Sequence, residues 1–152
     1  IAVHPLDPDI VYAGGVDLFR SNDGGAQFRP ISRWHLDPAN PAYAHADQHV
    51  IAFEPGFDGV TRTRLWVAND GGIQSTDNPT AAAGNDICSE LGIGVVWRNR
   101  NAGYFVSQFY HGSVAADLSR IAGGFQDNGT FAGPVGTSTG WNEIFGGDGA
   151  YT

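Results

Sequence analysis

Twenty-two glycines, 12% aromatic residues and no methionine, with short apolar runs that stop at Gly, Pro, Asn or Asp, predict an all-β fold of many strands and tight turns. The order of these runs recurs at a spacing of roughly 40 to 60 residues, the pattern of a β-propeller made of four-stranded antiparallel blades. Stretches of strong helix formers, which would compete with this reading, are few.

The first unit, about residues 1–44, carries "HPLDPDIVYAGGVDLFRSNDGGAQFRPIS": a Pro/Asp turn, strand "IVYAGG", strand "DLFRS", turn "NDGG" and strand "QFRPIS". The second, about 45–103, repeats the order in "HVIAFEPGFDGVTRTRLWVANDGGIQSTDN" and "VVWRNRN", with "IAFEP" matching "IAVHP" and "LWVAND" matching "IVYAGG". Residues 79–95 interrupt this unit and read as an insertion between its outer strands, with one short helical turn. The third, about 104–146, runs from "FYHGSVAADLSRIAGGFQDNGTFAGP" to "WNEIF", and residues 147–152, ending in "DGAYT", would open a fourth. Propellers close with four to eight blades, because each sheet buries its faces only against its neighbours. Three blades therefore predict part of a larger propeller, completed by the same or another chain.

The composition, 41% hydrophobic and 16% charged, is that of a globular chain. A net charge of −8 with only eight basic residues argues against a nucleic-acid partner, which would need clustered Lys and Arg. No apolar run approaches the roughly 20 residues of a spanning helix, so no membrane insertion is expected. The start "IAVHPLDPD" has neither the basic nor the apolar region of a signal peptide, and with no initiator Met it suggests a processed or partial chain. Cys88, the single cysteine, has acidic neighbours and no basic one to stabilise a thiolate; a buried or incidental thiol is expected.

Chemistry is sought where polar residues cluster at unit junctions. In "HADQH", His45, Asp47 and His49 alternate, and on an extended strand they would share one face. Asp47 and His49 are expected to begin the inner strand of the second blade. The other clusters are "NDGG" with Asn69 and Asp70, "QDNG" with Gln126, Asp127 and Asn128, and "GGDG" with Asp148. Asp47, His49, Asp70, Gln126, Asp127, Asn128 and Asp148 form the candidate ligand set, with Asp47, Gln126, Asp127 and Asp148 expected on one rim. No cofactor is required. Ca²⁺ would suit the carboxylates, Asp47, Asp127 and Asp148 being the metal candidates, whereas His45 and His49 would favour Zn²⁺. The competing reading is turn chemistry, since Asp and Asn before Gly commonly bond their own backbone.

"SNDGGAQF" fits Ser-x-Asp-x-Gly-x-x-aromatic with Ser21, Asp23, Gly25 and Phe28, and "STDN", with Ser75 and Asp77, looks like a second copy interrupted by the insertion, Trp97 being its displaced aromatic. On these motifs the chain resembles the bacterial neuraminidase repeat, or Asp-box, propellers, which include sialidases, xyloglucanase-type glycoside hydrolases and sortilin-type receptors. The resemblance implies boxes at the third-to-fourth strand turn, away from the axis, and an extracellular or cell-surface location. Physically, Asp23 would accept N–H groups of its own turn, Gly24 and Gly25 would take φ > 0, and Phe28 would pack under the hairpin. The box is therefore expected to serve folding.

The leading functional expectation is a secreted or cell-surface binding and scaffold module for a carbohydrate or protein ligand. Aromatics such as Trp34, Tyr43, Tyr104 and Tyr110 would stack on sugar rings or grip side chains. The alternative is a polysaccharide-acting glycoside hydrolase whose catalytic carboxylates lie partly outside this segment, and whether the chain is catalytic stays open. Hydrolysis needs two suitably spaced carboxyl groups, and the glutamates are only Glu54, Glu90 and Glu143. Sialidase activity is not expected, because no three-arginine set accompanies "QFRP".

Overall fold

The computed structural model describes residues 1–89, 91–103 and 108–149. The chain divides into two compact units, Ile1–Tyr104 and Phe105–Thr152. Among the described residues every regular element is a strand and there is no helix.

The first unit holds two four-stranded antiparallel sheets. One takes β1 (Ala2–Val3), β2 (Val11–Gly14), β3 (Leu18–Ser21) and β4 (Arg29–Pro30) in chain order; the other takes β5 (Gln48–Phe53), β6 (Leu65–Asn69), β7 (Gly72–Thr76) and β8 (Arg98–Asn99), also in chain order. Alternation along the central strands explains the pairing. Leu65, Val67 and Asn69 of β6 are buried while Trp66 and Ala68 are half-buried, so a single face of the strand turns inward.

The core of this unit is shared by its two sheets: Tyr12, Leu18 and Ile31 from one side, Leu65, Val67, Val95 and Trp97 from the other, with Ile51 and Phe53 packed against them. Phe53 meets Tyr12 edge-on at 5.6 Å, His4 at 5.5 Å and Phe57 at 4.8 Å. Such ring pairs contribute about 0.5–1.5 kcal/mol each beyond the area they bury. The same environment lowers the pKa of His4, chiefly through desolvation.

The described residues of 79–95 contain turns rather than the expected helical turn. Their carbonyls are taken by arginines of the first sheet and its following segment. Arg20 Nη1 donates to Pro79 O and Ala81 O at 2.6 and 2.7 Å, Arg33 Nη2 donates to Ile87 O and Ser89 O at 2.5 and 3.1 Å, and Arg29 Nη1 donates to Asn85 O. A helix would need carbonyls like these for its own bonds. Arg33 is in turn held by Asp17 at 3.2 Å, both side chains being buried. Cys88 lies exposed on this segment, so of the two expected alternatives, a buried or an incidental thiol, the buried one does not hold.

The second unit is one antiparallel sheet of β9 (Phe109–Val114), β10 (Arg120–Phe125), β11 (Thr130–Pro134) and β12 (Asn142–Phe145), again in chain order. The Phe109 ring lies over Gly123, where a Cβ would come within 1.8 Å of it, and packs against Phe125 with centroids 4.1 Å apart and planes tilted by 45°. Phe125 then meets Phe131 edge-on at 5.7 Å.

Candidate functional site

The turn after β3 is closed by its own side chains. Ser21 Oγ donates to Asp23 Oδ1 at 2.6 Å and accepts Gly25 N–H at 2.9 Å, while Asp23 Oδ1 accepts Gln27 N–H at 2.9 Å. Gly24 and Gly25 have φ of 69° and 95°, and Gly24 N–H reaches back to Asp9 O at 2.8 Å. The Ser21 hydroxyl, followed by the backbone donors, holds the Asp23 carboxyl below the usual carboxylate range. Asp23 is committed to this turn, and Phe28 is half-buried beside it.

The second such turn is one residue later than expected. Thr76 Oγ1 donates to Asn78 Oδ1 at 2.7 Å and accepts Asn78 N–H at 3.2 Å, and Asn78 Oδ1 accepts Val96 N–H at 3.2 Å. Thr76 and Asn78 thus repeat the bonding of Ser21 and Asp23, Val96 stands where Gln27 does, and Trp97 follows it as Phe28 follows Gln27. Cross-strand register gives the reason: Thr76 pairs with Leu65 as Ser21 pairs with Val11, each at the end of its hairpin ladder. Ser75 instead accepts Arg100 Nε at 2.9 Å. Asp77 accepts Arg64 Nε at 2.7 Å, and Arg64 also lies 5.4 Å over the Trp66 ring.

"HADQH" does not form one strand face. Asp47 has φ of 62°, which breaks the two-residue alternation, and β5 begins only at Gln48. His45 N–H donates to Gln74 Oε1 at 2.9 Å, and its ring covers Gly71, where a Cβ would meet it at 2.4 Å. His49, the second residue of β5, turns its Nε2 onto Asp70 Oδ1 of the β6–β7 turn. The entry to β5 is tied to the β2–β3 turn by Asp47 N–H to Val16 O at 3.2 Å and Gln48 N–H to Gly15 O at 2.9 Å.

Beneath this entry lies an amide network that the sequence reading missed. Asn69 Nδ2 donates to Gln74 Oε1 at 2.9 Å and Gln48 Oε1 at 3.3 Å, and Gln74 Nε2 donates to Tyr43 O at 3.4 Å. Asn69 Oδ1 is buried with no hydrogen-bond partner. The available signal was Gln74 within "GGIQST", a polar residue at a position whose alternation places it inward.

In the second unit, Gln126, Asp127 and Asn128 form the β10–β11 turn, where Asp127 has φ of 56°. Asp127 N–H donates to Asp148 Oδ1 at 3.0 Å, Asn128 Nδ2 to Gln126 O at 2.8 Å, and Gly149 N–H to Phe125 O at 2.9 Å. A segment just after a sheet thus bonds to that sheet's central turn, as Asp47 and Gln48 do in the first unit. The candidate residues fall into two groups. Asp47, His49 and Asp70 belong to the first unit; Gln126, Asp127, Asn128 and Asp148 belong to the second.

Of the aromatics named as ligand platforms, Trp34 and Tyr110 are about half exposed, at 49% and 47%. Tyr43 is half-buried, and burial raises its phenol pKa. Tyr104 and Glu90 lie outside the described residues. Glu54 accepts Arg64 N–H at 2.7 Å, and Glu143 is exposed on β12. No protein-family model matches the chain, and no curated protein matches it.

Proposed function

We propose that the three sheets are blades of an Asp-box propeller, completed by further blades, and that the chain is a secreted or cell-surface binding and scaffold module for a carbohydrate or protein ligand. The observation that carries this reading is the division of labour among its acidic residues. Asp17, Asp23, Glu54, Asp58 and Asp77 are each bonded to backbone or to an arginine within the first unit and so maintain the fold. His49, with a 61% exposed side chain, and Asp70, at 23%, stay accessible at the turn end of their sheet, where they can present hydrogen-bonding groups to a ligand. The glycoside hydrolase alternative requires an acid and a base about 5–9.5 Å apart across a groove.

The test is affinity electrophoresis against neutral and acidic polysaccharides, with reducing-end release measured on the same samples. Retardation without release, weakened by His49→Ala, is the expected result. Release of reducing ends would make the chain a hydrolase, and the absence of both with every polysaccharide would remove carbohydrate as the ligand class.

A further inference from the structure

All eight basic residues are arginines, set against sixteen acidic residues. Four of them serve the fold. Arg20 and Arg33 are buried against carbonyls of residues 79–89, and Arg29 and Arg62 donate to Asn85 O and Pro55 O. Of the other four, Arg64, Arg98 and Arg100 come together on the sheet of β5 to β8.

Register brings them there. Trp66 pairs with Ser75 and Ser75 with Arg98, so these side chains share the face opposite to Leu65 and Val67, which belong to the core. Arg100 N–H donates to Ile73 O at 2.9 Å, which continues the pairing and sets Arg100 on the same face, roughly 6.6 to 6.8 Å along the strand from Arg98. Arg100 Nε donates to Ser75 Oγ at 2.9 Å. Arg64 lies 5.4 Å over the Trp66 ring and donates Nε to Asp77 Oδ1 at 2.7 Å. The hydrogen bond from Arg64, and the charges of Arg64, Arg100 and Arg98, hold the Asp77 carboxyl below the usual carboxylate range against its desolvation.

One carboxylate thus answers three guanidiniums, and it is committed to Arg64. Arg98 and Arg100 are exposed on and just after β8, the last strand of the sheet. Among the described residues the Arg98 side chain makes no hydrogen bond, and Arg100 uses only its Nε. Neighbouring positive charges in an otherwise acidic chain favour an anionic partner, and planar guanidiniums with spare donors match carboxylates. A protein partner would need an aromatic or apolar anchor. The ring at this edge, Trp66, is half-buried and already covered by Arg64. A hydrophilic polyanion needs no such anchor.

We propose that Arg98 and Arg100 form an anion-binding edge that takes the carboxylates of a uronate-bearing polysaccharide. The inference rests on the carbohydrate reading of the ligand and specifies its charge. Both guanidiniums touch the ligand, Arg100 through its Nη groups while Nε stays on Ser75. Arg64 and Asp77 flank the edge and make no contact with the polysaccharide.

The test is calorimetric titration of the full chain with polygalacturonate, with neutral dextran and poly-L-glutamate in parallel. Polygalacturonate alone should bind, and its affinity should fall between about 50 mM and about 300 mM NaCl as the charges are screened. Arg98→Ala, which breaks no bond of the fold, should weaken binding at least about tenfold, and Arg98→Lys should weaken it less. Arg120→Ala, on β10 of the second unit, should leave it unchanged. Wild-type affinity in Arg98→Ala, or an equal loss in Arg120→Ala, would overturn the proposal. Binding of poly-L-glutamate in place of polygalacturonate would overturn it in favour of an acidic protein partner. Binding of dextran without polygalacturonate would overturn it and leave the carbohydrate reading standing, whereas no binding of any polysaccharide would remove both.

Discussion

Trp97 Nε1 donates to Ile31 O at 2.8 Å, which ties the chain two residues past the insertion to the residue that follows β4 of the preceding sheet. The indole is 6% exposed and belongs to the shared core. Trp97→Phe should keep most of the packing while orphaning the Ile31 carbonyl, at a cost of about 1–3 kcal/mol. Trp97→Ala should cost about 3–5 kcal/mol. Urea denaturation distinguishes these values, and equal losses would mean that packing contributes little here.

The Asp17–Arg33 pair should be among the most sensitive polar contacts. Asp17 also accepts Ser32 Oγ at 3.2 Å and Trp34 N–H at 2.8 Å, and Arg33 holds two carbonyls of the insertion. Arg33→Ala leaves a buried carboxylate without its counter-charge and should destabilise by about 3–5 kcal/mol. Hydrogen exchange should quicken at residues 86–89 in the same variant; protection equal to wild type would show that the arginine does not hold the segment.

Ser21→Ala and Asp23→Ala test whether the turn serves folding or binding. Ser21 is fully buried and should cost about 1–3 kcal/mol. Exposed Asp23 should lower the melting temperature by less. Both variants should bind any ligand as wild type does, so lost binding with unchanged melting would reassign the turn as a site.

Acid should destabilise the first unit through its bonded carboxylates. The Thr61 hydroxyl, then backbone N–H groups of residues 60–62, holds Asp58 far below the carboxylate range, and Arg64 lowers Asp77. Folded pKa values below the unfolded ones mean stability that is complete above about pH 4 and lost as pH falls through the folded values. Melting temperatures recorded from pH 5 to pH 2 should fall, and Asp58→Asn should flatten that slope. An unchanged slope would show that Asp58 does not contribute to it.

Tyr12 should govern the alkaline limb. Burial, opposed in part by Arg20, raises its phenol to about 12. The unfolded phenol ionises near 10, so the stabilisation is complete below about pH 10 and is lost as pH rises towards about 12. Ultraviolet titration at 295 nm should find one tyrosine that ionises last and together with unfolding, and Tyr12→Phe should remove that step.

The sheets were legible because the signals that set them are local: two-residue alternation in "IVYAGG" and "LWVAND", and Gly and Asp at the hairpin ends. The Ser21 turn was legible for the same reason, with all its side-chain bonds falling within the seven residues from Ser21 to Gln27. Its counterpart was read one residue early because Ser75 and Thr76 both offer a hydroxyl, and only the pairing of Thr76 with Leu65 decides between them. "HADQH" misled because one residue of positive φ at Asp47 undoes an alternation that composition cannot show to be broken. The shape of residues 79–95 depends on Arg20, Arg29 and Arg33, some 56 to 61 positions away for the contacts made by Arg20 and Arg29, and no local pattern encodes such partners.

Asn78 receives Val96 N–H directly, so the two ends of the intervening segment are fastened to each other whatever lies between them. Closing a longer loop adds entropy cost only logarithmically, about 0.6 kcal/mol per doubling. The junction therefore works as a port for added sequence: a peptide or small domain inserted after exposed Leu91, beyond the Ile87 and Ser89 carbonyls that Arg33 holds, would begin and end on anchored chain.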